Sequence, residues 1–249
     1  MSERDEIIPE TVFRHEMICA GRVPHWPERE VQNASDKIAG WVHGTANTHV
    51  DALAHIGFLG YGFNGHRHED MVSMEQGVKR CDATAVLGVV TRGILVDVPR
   101  KRGIAALEPG DYVTTADIEA EAALVEPGDA FLVRLGPSQG RGDQGSGDVH
   151  GTWAGLHADC IELLGSRGIA LVGTDGPGDC YPSPLKGTCD SPVHVLCAVF
   201  WGIHLIHNMD LDALSMRCAE AGRNRFLFSI TALNVPRSTG SLTTPVAVL

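Results

Sequence analysis

Three imidazoles and one carboxylate fall in the stretch His43-Gly44-Thr45-Ala46-Asn47-Thr48-His49-Val50-Asp51-Ala52-Leu53-Ala54-His55. In an extended segment alternate side chains share a face, and His43, His49, Asp51 and His55 are all odd-numbered. His49 and Asp51 then lie about 6–7 Å apart along one face, close enough to grip one ion from one side. His43 would stand roughly 20 Å from His49 in a straight strand, so it joins only if the chain bends, and Gly44 makes that bend cheap. Imidazole plus carboxylate suits zinc, manganese or iron(II), and the absence of cysteine here argues against a closed thiolate site. Few protein ligands leave positions for water and substrate, the condition under which a divalent ion activates water near neutral pH. His55, with an ordinary pKa of about 6.5, is the candidate proton shuttle. The bland alternative is a strand of partly buried histidines bonded to backbone, the weaker reading for all four residues together.

Thr48-His49-Val50-Asp51-Ala52-Leu53-Ala54-His55 resembles the H-x-G-T-H-x-D-x-P-x-H signature of the cyclase-like metal-dependent hydrolases, the family of bacterial kynurenine formamidase and isatin hydrolase. The resemblance implies that His49 and Asp51 hold a divalent metal, Mn2+ or Zn2+, and that His55 works in acid–base catalysis. The family's first histidine falls on Thr45 here, its glycine on Asn47 and its proline on Leu53. Either His43 replaces the missing ligand, as a histidine two residues earlier in the longer members suggests, or the site is one ligand short. The similarity runs loosely to the C-terminus through Gly155-Leu156-His157, Gly173-Thr174-Asp175-Gly176-Pro177-Gly178-Asp179 and Ser191-Pro192-Val193-His194. In the formamidases a histidine in the last block and a glutamate about a dozen residues on hold a second zinc. His194 matches that histidine. The glutamate falls near Ile206-His207-Asn208, where there is no carboxylate, and His207 is a substitute of competent chemistry. His157 either hydrogen-bonds the substrate or caps a helix.

The implied activity is hydrolysis of an amide, formamide, cyclic amide or lactone carbonyl. The competing reading, motivated by Thr45 and the missing glutamate, is a metal- or ligand-binding protein that kept the scaffold and lost the chemistry. Phe58, Tyr61 and Phe63, set among glycines from Gly57 to His68, could wall a substrate pocket, and Asp175 is a further substrate-binding candidate at a strand's C-terminal end. The resemblance also implies a homodimer or homotetramer.

The chain of 249 residues is expected to form one domain, 1–249, with no composition break to divide it. Its net charge of −11 disfavours nucleic acid and anionic membrane as partners, and the resemblance implies a small-molecule substrate. No apolar run reaches membrane-spanning length, and Met1-Ser2-Glu3-Arg4-Asp5-Glu6 is no signal peptide. Seven cysteines without C-x-x-C spacing read as reduced thiols of a cytoplasmic protein. Ile7 to Ala20 reads as a short helix, and the chain reads as starting short of the opening strands of longer family members. Ala85 to Val98 reads as buried strand broken by a turn near Arg92-Gly93. Thr114-Thr115-Ala116-Asp117 caps a helix that Ile118 to Leu124 continue, and Ala130 to Leu135 is a strand. Gly136 to Gly151 is a lid candidate; its G-x-G at Gly145 to Gly147 lacks the strand–helix context of a nucleotide site. A helix over Leu156 to Arg167, a strand over Ile169 to Val172, and helices and strands alternating to Leu233 make the class α/β or α+β, a mixed sheet with flanking helices. The resemblance implies the swivelling β/β/α domain.

Overall fold

The computed structural model describes residues 14–22, 32–45, 47–136 and 151–249, and it separates into two units, Met1–Gly44 and Thr45–Leu249. In the first unit, strands β1 (Arg14–Arg22) and β2 (Gln32–Ala39) pair antiparallel, with a register shift between Met17 and Cys19. The helix expected over Ile7 to Ala20 is thus corrected: residues 14–20 are strand, paired with a segment that no local periodicity reveals, and residues 7–13 lie outside the described residues.

The second unit contains β3 (His49–Asp51), β4 (Val72–Ser73), β5 (Gly77–Val78), β6 (Val89–Asp97), β7 (Tyr112–Val113), β8 (Ala130–Arg134), β9 (Gly155–Leu156), β10 (Leu171–Thr174), β11 (His204–His207), β12 (Arg225–Ile230), β13 (Gly240–Leu242) and β14 (Val246–Val248). Its helices are α1 (His68–Met71), α2 (Val98–Arg102), α3 (Thr115–Ala122), α4 (Ala158–Ser166), α5 (Pro192–His194, continued by a π-helix over Val195–Trp201) and α6 (Asp212–Ala221). Eight strands make one mixed sheet in the order β13-β3-β11-β10-β8-β6-β12-β14. The centre, β11-β10-β8-β6, is parallel, and both flanks are antiparallel.

Parallel strands are covered on both faces and therefore read as unbroken apolar runs. In β8, Phe131 and Val133 enter a core with Ile118, Ile161, Leu164 and Val193 from the helices, while Ala130 and Leu132 enter a second core with Val50, Ile206, Phe226 and Phe228. The two edge strands are consecutive in sequence. Only Thr243, Thr244 and Pro245 separate β13 from β14, a span of at most about 14 Å, so the sheet curls until its edges nearly meet.

The turn expected near Arg92-Gly93 is corrected as well: β6 runs unbroken from Val89 to Asp97, preceded by a 3-10 turn at Ala83–Val86. Gly93 pairs with Phe226, and a Cβ there would come within 2.3 Å of its ring, so the glycine makes room for a cross-strand aromatic. The capping signal at Thr114 holds, with Asp117 accepting from the Thr114 amide at 2.7 Å. All seven cysteines are free thiols. No helix among the described residues is long and apolar enough to cross a membrane. The lid candidate and its G-x-G lie, over 137–150, outside the described residues.

Candidate metal centre

β3 is three residues long and wholly buried, and its pairing explains which way each side chain turns. Val50 stands opposite Ile206 of β11, and both enter the second core. By alternation His49 and Asp51 take the other face, and so does His207, which stands opposite His49 in the register. All three are at most 3% exposed, and one ligand atom from each lies within 4.8 Å of the others. Gly240 of β13 faces Asp51 from the other side.

Hydrogen bonds around the rings decide which nitrogens face inward. His49 Nδ1 lies 2.8 Å from the Asn47 carbonyl oxygen, which can only accept, so in the neutral ring Nε2 carries no proton; it points at Asp51 Oδ1, 3.6 Å away. Asn208, in left-handed backbone at φ 55°, donates from Nδ2 to the same Asn47 carbonyl at 3.0 Å and fixes it in place. His207 Nε2 is 3.0 Å from Asp51 Oδ2, and its buried Nδ1 has no hydrogen-bond partner among the described residues. His194, at the end of α5, brings Nε2 to 3.6 Å from Asp51 Oδ2, and its ring stacks on that of His207 at 4.8 Å. Burial pulls the His194 pKa down, but the Asp179 hydrogen bond and the charges of Asp179 and Asp51 outweigh it, and the net shift is upward. His204 donates from Nδ1 to the Asp51 carbonyl at 2.9 Å, and burial lowers its pKa.

Three imidazoles thus converge on one buried carboxylate, with His49 and His207 buried and His194 partly exposed. Unprotonated ring nitrogens turned toward carboxylate oxygens at 3.6 Å are mutually repulsive unless positive charge lies between them. A divalent cation fits that donor set, and the partners behind His49 and His194, the Asn47 carbonyl and the Asp179 carboxylate, are of the kind that orient metal-bound histidines.

The site lies at the C-terminal ends of β10 and β11, where parallel sheets place ligands. Sequence reasoning found His49, Asp51 and His194, and the fold brings them together. It also brings in His55: a ligand atom of His55 lies within 4.8 Å of Asp51, and its ring is 6.3 Å from that of His194. His43 belongs to the N-terminal unit. His157 is the N-cap of α4, accepting from the Asp159 amide at 3.3 Å and packing on Tyr112; no described contact joins it to Asp51. Asp175 turns away: its two oxygens accept from the Leu135 and Gly136 amides at 2.7 and 3.0 Å, tying the end of β8 to the end of β10. Phe58 and Tyr61 close a two-residue turn over Leu59 and Gly60, with Tyr61 exposed, while the Phe63 ring lies against Gly202. What the sequence left unassigned is Asp179, set four residues beyond Asp175. A cavity of about 480 Å³ lined by Leu132, Met209, Leu214 and Phe228 opens on the face of the sheet opposite Asp51.

Comparison with known proteins places this geometry in context. A family model described as "Putative cyclase" matches residues 15–178. Among solved structures, one described as a novel cyclase is similar with a TM-score of 0.81 and 24% identity, covering 97% of this chain and 83% of its own. An isatin hydrolase bound to the product analogue thioisatinate is similar with a TM-score of 0.64 and 17% identity, over 96% and 82%. A potential metal-dependent hydrolase with cyclase activity gives 0.54 and 16%, over 96% and 88%. No curated protein matches the sequence.

Proposed function

Since the chain belongs to the cyclase family, we propose that it is a metal-dependent hydrolase of a small amide, formamide, cyclic amide or lactone, with its metal held by His49, Asp51, His207 and His194. The observation that carries the reading is the convergence of three imidazoles on the buried Asp51 carboxylate. A divalent ion bound there would supply a Lewis acid for a carbonyl and would lower the pKa of water. Three imidazoles to one carboxylate favour zinc over manganese, which prefers oxygen ligands. His207 lies near the place where the family resemblance calls for a glutamate, and in the proposed donor set Asp51 is the single carboxylate.

The remaining roles belong to the chain. His49 and His194 present unprotonated Nε2 atoms because Asn47 and Asp179 hold their Nδ1 protons. His55, half-buried beside the cluster, takes a proton from the attacking water and returns it to the leaving nitrogen or oxygen. The sheet and α5 exclude bulk water from Asp51, which strengthens every charge interaction at the site.

The similarity to an isatin hydrolase and to a potential metal-dependent hydrolase supports the assignment of hydrolysis. The test is turnover: zinc-loaded protein is assayed against a panel of formamides, cyclic amides including isatin, and lactones. Hydrolysis of at least one member that disappears with chelator is the expected result. A metal-replete protein inert toward the whole panel overturns the hydrolase reading in favour of a binding protein.

A further inference from the structure

We infer that Asp179 is a positioning residue that sets the tautomer of His194, and through it the ability of His194 to offer a lone pair to the metal; the metal role rests on the proposed function, whereas the tautomer does not. Asp179 sits in the loop after β10 and is 6% exposed. Its Oδ1 accepts from the Val193 amide at 2.7 Å, and its Oδ2 accepts from the His194 amide at 3.2 Å and from His194 Nδ1 at 2.5 Å. An ionised carboxylate only accepts, so Nδ1 must carry the ring proton, and Nε2 is left to face Asp51 Oδ2 at 3.6 Å.

The loop is held so that this grip cannot drift. Gly155 of β9 lies flat against it, since a Cβ there would fall 2.2 Å from the Asp179 carbonyl carbon and the Cys180 nitrogen. Leu156 donates to the Gly178 carbonyl at 2.8 Å, and Trp153 and Tyr181 exchange two backbone hydrogen bonds. Backbone thus fixes the Asp179 loop against β9, and the aspartate side chain reaches from that fixed loop to the Val193 and His194 amides of α5.

This arrangement makes the isosteric variant more informative than truncation. In Asp179→Asn one oxygen becomes an amide nitrogen. The nitrogen cannot occupy the Oδ1 position, where it would meet the Val193 N–H head-on at 2.7 Å. At the Oδ2 position it meets the His194 N–H only at the longer 3.2 Å and gains His194 Nδ1 as an acceptor, so that placement costs less, and Nδ1 must then accept. The ring proton moves to Nε2, and the lone pair that faces Asp51 is lost. Asp179→Ala removes the director without replacing it, so both tautomers are populated.

The experiment reads ring tautomers by proton–nitrogen correlation NMR of the metal-free, substrate-free protein at alkaline pH, and reads metal binding by chelator competition with cobalt(II). Wild type should show His194 protonated at Nδ1, Asp179→Asn at Nε2, and Asp179→Ala a mixture. Cobalt affinity should fall by about 10–100-fold in Asp179→Asn, the usual cost of losing such a partner, and by less in Asp179→Ala. Wild-type tautomer or wild-type cobalt affinity in Asp179→Asn overturns the inference. If Asp179→Asn does not fold, a single Nδ1–H tautomer in Asp179→Ala overturns it equally. Absence of turnover on every substrate would sink the hydrolase proposal while leaving both of these readouts intact.

Discussion

Replacing Asp175 by asparagine should change how stability depends on pH in a way that no surface carboxylate can imitate. Burial pushes the Asp175 carboxyl up from 3.8 to about 7, against the opposing pull of the Leu135 and Gly136 amides. The native state therefore binds a proton that the unfolded chain releases near pH 4. A rise of about three pKa units corresponds to about 4 kcal/mol, present in full below about pH 4 and lost as pH climbs through about 7. The asparagine variant has no such proton to lose, but its amide nitrogen must face one of the two backbone N–H groups, a pH-independent cost of about 1–3 kcal/mol. Urea denaturation of both proteins at intervals from pH 4 to 7.5 measures the difference. The variant should be the less stable at pH 4, and its deficit should shrink by about 4 kcal/mol by pH 7.5, far enough to vanish or reverse. Parallel stability curves, with a constant deficit across the range, would refute the assignment of a proton to buried Asp175.

Three other substitutions probe the site. His49→Ala should abolish stoichiometric zinc while leaving circular dichroism unchanged; metal retained by that variant would place the centre elsewhere. His55→Ala should keep its metal and lose about 10²–10⁴-fold in turnover, with the acid limb of the pH–rate profile flattened; a metal-free preparation would make His55 a ligand instead. Gly155→Ala should destabilise the fold by about 1–3 kcal/mol, because the contact it creates is with backbone that cannot yield, and should weaken zinc binding by displacing Asp179; wild-type melting and wild-type affinity together would contradict the packing argument.

What could be read from sequence at this centre follows how locally each feature is encoded. His49 and Asp51 needed only the two-residue period of a strand, and the pairing of β3 bears that out. His207 depended on a register between β3 and β11, whose partners are 156 residues apart; the residue could be named as a substitute ligand but not placed. The carboxylates of Gly173 to Asp179 were visible as a pair at a strand end, yet which of them faced the site turned on the path of four residues. Asp175 went to the β8 amides and Asp179 to His194. Strand β1 was misread as helix because its hydrogen-bond partner is β2, a separate segment farther along the chain. Gly93, read as a turn, answers to the bulk of Phe226, which arrives on β12. The eight-strand mixed sheet with its flanking helices was legible as a class, because the apolar runs of the parallel centre alternate with capped helices.

The position of β3 in the sheet sets an order of events during synthesis. The histidine and aspartate that begin the centre are made early, but both neighbours of β3 come late, β11 at His204–His207 and β13 at Gly240–Leu242. Until those segments have left the ribosome, His49 and Asp51 stand on an unpaired three-residue strand that has neither the ring of His207 nor the hydrogen-bonded edge to hold it. A nascent chain that ends before His194 carries only two of the four proposed ligands, and such distant pairings close slowly. The proposed donor set is thereby complete only once the sheet is complete.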